Sequence, residues 1–485
     1  MLLYIHIPFC ASKCGYCGFN SLVNMLEFKQ KYLNCLCADL KNELDLWDNL
    51  SLGIHSADLV NRHKARTPSP LSLCRFTKNY ESNTANTSIV IRNANQSAKN
   101  PSLRDSLSEV KTAKQSKNSP SLAKNTPPQP LPQGEGLIFD SPSLACGDSE
   151  SSLSLAEGNL SAFPLPCGGG LRGRVDSKKF HSIYIGGGTP NIFNPHDYER
   201  IFEILRPRIA PHTEITMELN PNVSSIDSLK AFKDLGVNRF SIGVQSFCDD
   251  KLKLLERNHS PKIARKFIES ALKCGVKTSI DLIYGTILDS SKLLRFELEN
   301  AVSLGVGHIS CYALSIDKHS AFFRERKNPT RESSLCYELK EFLDSRGFLQ
   351  YEVSNFARDD SQKSRHNLGY WAYRDYIGVG LGAVGKRTRF DSQGDLQVAR
   401  IYKQSDFGAY LANPLSTRRE FLSESDIRLE KIFLGFRSEV GVNPALITNQ
   451  NRLKILRDSD KIHAKNGKIH ATNYFIADEM ALFVS

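Results

Sequence analysis

The chain alternates between two hydrophobic periods. Apolar-rich runs at Leu2–Pro8, Ser182–Ile185, Glu214–Leu219, Arg239–Gln245, Thr278–Ile283 and His308–Ala313 predict β-strands. Between them, apolar residues recur three and four apart and predict amphipathic helices. One such helix covers Met25–Asp48, where Leu26, Leu33, Leu36, Leu40, Leu44 and Trp47 hold helical spacing; others cover 195–209, 224–235, 249–274 and 290–304. Six βα units in a row predict an α/β fold on a parallel sheet, either a barrel or a doubly wound sheet. Gly186, Glu218, Gln245 and Asp281 stand at or just past strand ends. In a parallel barrel that rim is where chemistry is placed.

The periodicity fails from about 50 to 178, which is rich in Ser, Asn, Pro and Lys, as in Thr126-Pro-Pro-Gln-Pro-Leu-Pro-Gln-Gly134. Such a stretch buries too little apolar surface to offset the entropy of ordering it, so a disordered insertion is expected. Loop closure costs rise slowly with length, so the fold tolerates it. Cys74, Cys146 and Cys167 fall inside it and are expected to have no ordered role. Further on, Tyr351–Asn355 reads as another strand and Gly378–Gly385 as a glycine-rich turn. Helices near 424–437 and 451–457 belong to a small α+β tail. The expected divisions are 1–48 (first βα unit with a cysteine loop), 49–178 (insertion), 179–315 (remaining units) and 316–485, ending in a winged-helix-like domain.

The chain carries twelve cysteines and a net charge of +11. It has no apolar run near the roughly 20 residues a bilayer requires and opens on a strand rather than a signal peptide, so a cytoplasmic, non-integral-membrane protein is expected. There, clustered cysteines point to metal binding or catalysis rather than disulfides. The lysines and arginines are scattered, with no basic stripe interleaved with aromatics, so no nucleic-acid partner is expected. The positive balance equally suits a ligand bearing carboxylates.

Phe9-Cys-Ala-Ser-Lys-Cys-Gly-Tyr-Cys-Gly-Phe19 holds the pattern Cys-x3-Cys-x2-Cys on Cys10, Cys14 and Cys17. Three thiolates on a tight loop suit an iron–sulfur cluster or zinc. Structural zinc normally takes four ligands, and no second knuckle or histidine pair follows nearby. Three ligands leave one iron of a [4Fe–4S] cluster open. Cys35 and Cys37 fall on different faces of one helix, and Cys248, Cys274, Cys311 and Cys336 are scattered, so all are expected to be core or incidental, like the strand histidines His6 and His308. Gly186-Gly-Gly-Thr-Pro190 follows a strand, where glycine lets backbone approach a ligand.

Cys-x3-Cys-x2-Cys after a first strand resembles the signature of the radical S-adenosylmethionine (SAM) superfamily. The resemblance implies a partial TIM-type (βα)6 barrel and a [4Fe–4S] cluster on Cys10, Cys14 and Cys17. It also implies SAM on the open iron, whose reductive cleavage yields a 5′-deoxyadenosyl radical. Tyr4 and Tyr16 fit the family pattern. Gly187, Gly188 and Thr189 match the segment for the methionine moiety, and Glu218, Gln245, Arg257 and Asp281 match further SAM positions. Tyr4-Ile-His-Ile-Pro-Phe-Cys10, Phe240-Ser-Ile-Gly-Val-Gln-Ser-Phe247 and Tyr351-Glu-Val-Ser-Asn-Phe-Ala357 are similar to the group containing oxygen-independent coproporphyrinogen III oxidase and HemW-like heme chaperones.

Two departures favour the chaperone branch. The oxidase has a fourth cysteine two residues after the third, where this chain has Phe19, and a long segment ahead of the loop, where this chain has its first cysteine at residue 10. Arg365-His-Asn-Leu-Gly-Tyr-Trp371 also matches the His-Asn-x-x-Tyr-Trp motif of that branch, which implies heme near His366, Tyr370 and Trp371. The implied partners are heme, a heme-accepting protein such as a respiratory enzyme, and an electron donor. The competing expectations are a coproporphyrinogen III oxidase, and a zinc-binding interaction protein without redox chemistry.

Overall fold

The computed structural model describes residues 1–18, 21–51, 179–316, 320–325, 329, 334–390, 394 and 396–485. The expected insertion from residue 52 on, with Cys74, Cys146 and Cys167, lies outside the described residues, as does Phe19.

Strand β1 (Leu2–Ile7) leads through the short pair β2 (Phe9–Cys10) and β3 (Leu22–Val23) into helix α1 (Lys29–Ser51). Then come β4 (Ser182–Gly187), α2 (Pro195–Leu205), β5 (Glu214–Leu219), α3 (Ile226–Leu235) and β6 (Arg239–Gln245). Next are α4 (Asp249–Leu254), α5 (Pro261–Lys273), β7 (Lys277–Tyr284), α6 (Ser291–Ser303) and β8 (His308–Ala313). Strands β1, β4, β5, β6, β7 and β8 lie side by side in chain order, all parallel, as the alternation predicts. The fold is a partial TIM-type barrel.

Period-two alternation sorts these strands into two faces. Leu3, Ile5, Ile183, Met217, Ile242 and Ile280 are buried in one hydrophobic core under the helices. Each such side chain contributes about 1.5–3 kcal/mol. The opposite face carries Tyr4, Tyr184, Glu218, Ser241, Asp281 and His308, which bond among themselves and their neighbours across a polar lumen. Serines cap the helices that set the strand ends: Ser225 accepts from Ser228 N, Ser260 from Ile263 N and Ser290 from Leu293 N.

The helix expected over 249–274 is broken. Glu256 is left-handed (φ 55°), and Pro261 cannot extend a helix upstream, so α4 stops and Ser260 caps α5 afresh. The break turns Arg257 out of a helix and toward the cysteine loop.

After α7 (Ala321–Arg324) and α8 (Leu335–Ser345), the strand expected at Tyr351–Asn355 is instead a turn. It joins β9 (Leu349–Gln350) to β10 (Asn355–Ala357), with Tyr351 N donating to the Asn355 carbonyl. Helix α9 (Arg365–Trp371) follows, then β11 (Tyr376–Val379), β12 (Val384–Phe390), β13 (Leu396–Lys403), α10 (Phe407–Ala412) and β14 (Thr417–Leu422). The glycine run over 378–385 is part strand and part turn; a Cβ on Gly378 would sit 2.2 Å from the Val384 carbonyl oxygen. β11 pairs parallel with β1, and β12–β14 extend that side antiparallel, while β10 and β9 extend the other. The sheet ends on β14 and β9, so it does not close.

Lys403, fully buried on β13, bonds Asp39 and Glu43 of α1, the latter at 2.7 Å. Finally α11 (Glu424–Phe436), α12 (Gln450–Asp458), β15 (Ile462–Lys465), β16 (Lys468–Ala471) and α13 (Ala477–Val484) share a second core around Phe433, Leu453, Ile469 and Met480. Among the described residues no helix is long and apolar enough to cross a membrane.

Candidate functional site at the barrel rim

The cysteine loop hangs from the upper end of β1. Its base is closed by pairing of β2 with β3 and by Leu22 N donating to the Pro8 carbonyl at 2.6 Å. Phe9 is fully buried against Tyr32, Phe193 and Phe407, which anchors Cys10. Cys17 N donates to the Cys14 carbonyl at 3.0 Å, curling the loop so that three half-buried thiols, none in a disulfide, sit on one short segment. Phe322 N donates to the Gly15 carbonyl, and the Phe322 ring meets Tyr16 edge-on at 6.0 Å. A Cβ on Gly15 would lie 2.2 Å from that ring.

The glycine segment lies against the loop's base. Gly188 N donates to the Ile7 carbonyl and Thr189 N to the Phe9 carbonyl, at 2.7 and 2.8 Å. The Thr189 hydroxyl donates to Cys10 Sγ at 3.5 Å, and a Cβ on Gly188 would stand 3.0 Å from that sulfur. Burial nonetheless pushes the Cys10 thiol up. Arg257 donates to Cys14 Sγ at 3.5 Å and to the Gly243 carbonyl at 2.9 Å. Its Nε is buried without a partner. Asn258 ties the break to the loop by donating to Ser12 Oγ at 2.7 Å. Gln245 is left-handed (φ 65°) at a register irregularity, with its amide beside Gly243.

Below this rim sits the second group of expected residues. Glu218 accepts from Tyr184 OH at 2.8 Å and from Gly187 N at 3.0 Å; burial, with Asp281 adding to it, pushes its carboxyl up to about 7. Gly187 has φ +118°, and a Cβ there would clash with His6 at 2.7 Å. Asp281 accepts from Ser241 Oγ at 3.2 Å and is also raised, chiefly by burial. Tyr4 OH is 2.9 Å from His6 Nδ1 and its ring stacks on Tyr184. The rim therefore gathers Tyr16, Gly187, Gly188, Thr189, Gln245 and Arg257 around the thiols, with Tyr4, Glu218 and Asp281 lining the lumen beneath. Sequence reading missed Tyr184, Asn258 and Phe322. Tyr184 was reachable, because it stands two residues before Gly186 on the polar face of β4; the other two were not.

These residues fit a cluster with SAM beside it. None of the thiols is in a disulfide, a guanidinium nitrogen waits buried without a partner, and glycine leaves the space a side chain would fill. Among the described residues no group of three His, Cys, Asp or Glu side chains is placed to hold one metal ion. A cubane binds each thiolate at a different iron.

His366, Tyr370 and Trp371 are not at this rim. α9 crosses the lower end of the barrel, with Gly369 against Leu2 and the Arg365 and His366 amides donating to Glu214. His366 is 1% exposed; Nδ1 is 2.9 Å from Ser182 Oγ and Nε2 is 2.8 Å from Tyr370 OH. Burial, then the charges of His181 and Arg239, lower its pKa to about 3. β4 runs from Ser182, bonded to His366, to Gly187 at the rim, a rise of roughly 17 Å. Trp371 is half-buried, with an unpartnered Nε1. Of the other cysteines, Cys37, Cys274 and Cys311 are buried in the core, while Cys35, Cys248 and Cys336 are half-buried.

The radical SAM superfamily description matches residues 172–290. The heme chaperone HemW of Buchnera aphidicola (subspecies Schizaphis graminum) is 31% identical over 268 residues, covering 54% of this chain and 70% of that one. HemW of Bacillus subtilis is 29% identical over 313 residues, 60% of this chain and 81% of that one. HemW of Escherichia coli is 35% identical over 221 residues, 44% of this chain and 58% of that one. Among solved structures, the E. coli coproporphyrinogen III oxidase HemN, described as a radical SAM enzyme, superposes with a TM-score of 0.61 at 16% identity, covering 100% of this chain and 90% of that one, which shows a shared fold. The chain belongs to the HemW-like family of radical SAM proteins.

Proposed function

We propose that this chain is a heme chaperone that holds a [4Fe–4S] cluster on Cys10, Cys14 and Cys17, binds SAM beside it, and passes heme to an acceptor protein. The observation that carries the cofactor part is the rim: three thiols on one curled loop, none in a disulfide, with Arg257 and Thr189 donating to two of them. When bound, the cluster and SAM supply one-electron chemistry. The chain's own residues do the holding. Thr189 and Arg257 neutralise developing charge on Cys10 and Cys14. Arg257 Nε, Gly188 and the Gln245 amide offer donors and room for the SAM carboxylate and ribose. Glu218 and Asp281, both raised by burial, exchange protons or hydrogen bonds with the ligand from below.

The heme part rests on the HemW relatives and on α9. Tyr370 and Trp371 offer flat apolar surface. His366 reaches iron only by giving up Ser182 or Tyr370, so heme loading on it is coupled to an opening of the barrel's lower end. An acceptor such as a respiratory enzyme and an electron donor complete the reading.

Anaerobic reconstitution of one sample tests it, with iron, sulfide, heme and porphyrinogen turnover measured together. Cluster content plus stoichiometric heme without protoporphyrinogen formation is expected. Efficient protoporphyrinogen formation with SAM and a reductant would instead make the chain an oxidase, and zinc uptake without sulfide would make it a zinc protein. His366→Ala is expected to change the spectrum or stoichiometry of bound heme; an unchanged spectrum removes His366 from the reading.

A further inference from the structure

Among the described residues four lysines and arginines are buried: Arg239, Lys251, Lys386 and Lys403. Three are paired. Lys251 meets Asp289 at 2.7 Å, Lys386 meets Asp375 at 2.8 Å, and Lys403 meets Glu43 at 2.7 Å. Arg239 is 3% exposed, and its guanidinium makes no hydrogen bond or ion pair with any described residue. It projects from the polar face of β6, since its neighbours Phe240, Ile242 and Val244 along the strand fill the core on the other face. Directly opposite it in the β5–β6 register is Thr216, fully buried, whose hydroxyl also lacks a partner. Neighbouring strands run about 4.8 Å apart, so the two unmet groups face one patch of the lower lumen.

The surroundings answer the charge only without contact: Asp281 feels Arg239 across the lumen but makes no ion pair with it. His308 and His366 lie close enough to feel Arg239, and both are held neutral, first by burial. The hydrogen bonds of the nearby carboxylates go elsewhere: Asp281 accepts from Ser241, and Glu214 from the Arg365 and His366 amides. Tyr184, next to Thr216 in the β4–β5 register, donates its hydroxyl to Glu218. A buried guanidinium with no hydrogen-bonded counter-ion is disfavoured, and a carboxylate received between Arg239 and Thr216 gives both groups a contacting partner at once.

We propose that the lower lumen is a carboxylate-binding subsite built on Arg239 and Thr216; resting on the heme reading above, its ligand is a propionate of the tetrapyrrole. The Tyr184 ring, 5.1 Å from that of His366, then lies beside the macrocycle's edge. Guanidinium–carboxylate pairing supplies both charge and planar geometry.

The test uses the full chain and its Arg239→Met and Thr216→Val variants. Both replacements are apolar and need no partner, and Arg239→Met removes an unpaired buried charge, so folding should survive. Each protein is titrated with heme, heme dimethyl ester and succinate, following the Soret band and Tm. Wild type should bind heme roughly tenfold or more tightly than the ester, while Arg239→Met binds the two alike. Equal binding of acid and ester by wild type, or unchanged heme affinity in Arg239→Met, overturns the subsite while leaving heme binding intact. If wild type takes no heme but succinate raises its Tm and not that of Arg239→Met, the subsite stands and the heme reading falls. If no carboxylate separates the two proteins, the subsite falls.

Discussion

The two ends of the barrel are built on opposite rules. At the rim, backbone is forced into unusual conformations at Gly187 and Gln245, a buried nitrogen of Arg257 has no partner, and three thiols outside any disulfide share one short loop. At the floor, histidines are saturated. His366 spans Ser182 and Tyr370, and His308 spans Ser279 at 2.6 Å and Tyr351 at 2.8 Å. A fold that satisfies its polar groups at one end and leaves them unmet at the other marks where ligands complete the structure. Arg239, Thr216 and the Trp371 Nε1 are exceptions near the floor, and the first two, facing each other across β5 and β6, carry a proposal of their own.

The largest effect expected from this contrast is all-or-none. Cys14→Ala should abolish iron and sulfide uptake, whereas His366→Phe at the floor should leave both unchanged. Iron and sulfide assays on the two reconstituted variants decide it, and an equal loss in both breaks the comparison.

Gly188→Ala should be nearly as severe for the rim. The new Cβ would lie 2.7 Å from the Phe9 carbonyl oxygen, and backbone cannot give way there without moving Cys10. A loss of about 1–3 kcal/mol is expected, with most of the cluster content. Gly275→Ala, at φ +68° with nothing within 4 Å, is the control. It should cost about 1–2 kcal/mol of left-handed strain and leave cluster content as in wild type.

At the floor, His308→Phe strands the Ser279 hydroxyl and removes one partner of Tyr351. Stability measured by chemical denaturation should fall by about 1–3 kcal/mol with no change in cluster uptake. A loss confined to cluster content would reverse the assignment of the two ends.

The smallest effect, per pH unit, is a pair of opposite slopes. His366 is lowered from 6.5 to about 3, so the unfolded chain binds the extra proton. Its stability contribution is full above pH 6.5 and is lost as pH falls from there toward 3, by at most about 1.4 kcal/mol per unit. Glu218 is raised from 4.5 to about 7, so its contribution is full below 4.5 and is lost as pH rises toward 7. Denaturation midpoints across pH should lose the first slope in His366→Phe and the second in Glu218→Gln.

The six parallel strands were legible because their apolar face obeys a strict period of two and each is followed by an amphipathic helix. The split of α4 from α5 was not, because helical periodicity runs through 249–274 while Glu256 and Pro261 act locally. The turn at Tyr351–Asn355 was misread because β-forming residues there also serve tertiary partners: Tyr351 OH is bonded to His308, and Tyr351 N to the Asn355 carbonyl. Strands β11–β14 went unread because glycine and charged residues dominate them. At the site, spacing alone gave the cysteine loop. That Thr189 meets Cys10 across 179 positions and Arg257 meets Cys14 across 243 is a product of topology, to which residue spacing is blind. The motif at His366 showed residue types suited to heme but not that α9 closes the floor with both imidazole nitrogens engaged.

The most direct measurement is anaerobic iron and sulfide content after reconstitution, in the full chain and in a variant with Cys10, Cys14 and Cys17 all changed to alanine. About four irons and four sulfides per wild-type chain and none in the variant are predicted. Equal uptake by both proteins would contradict the account.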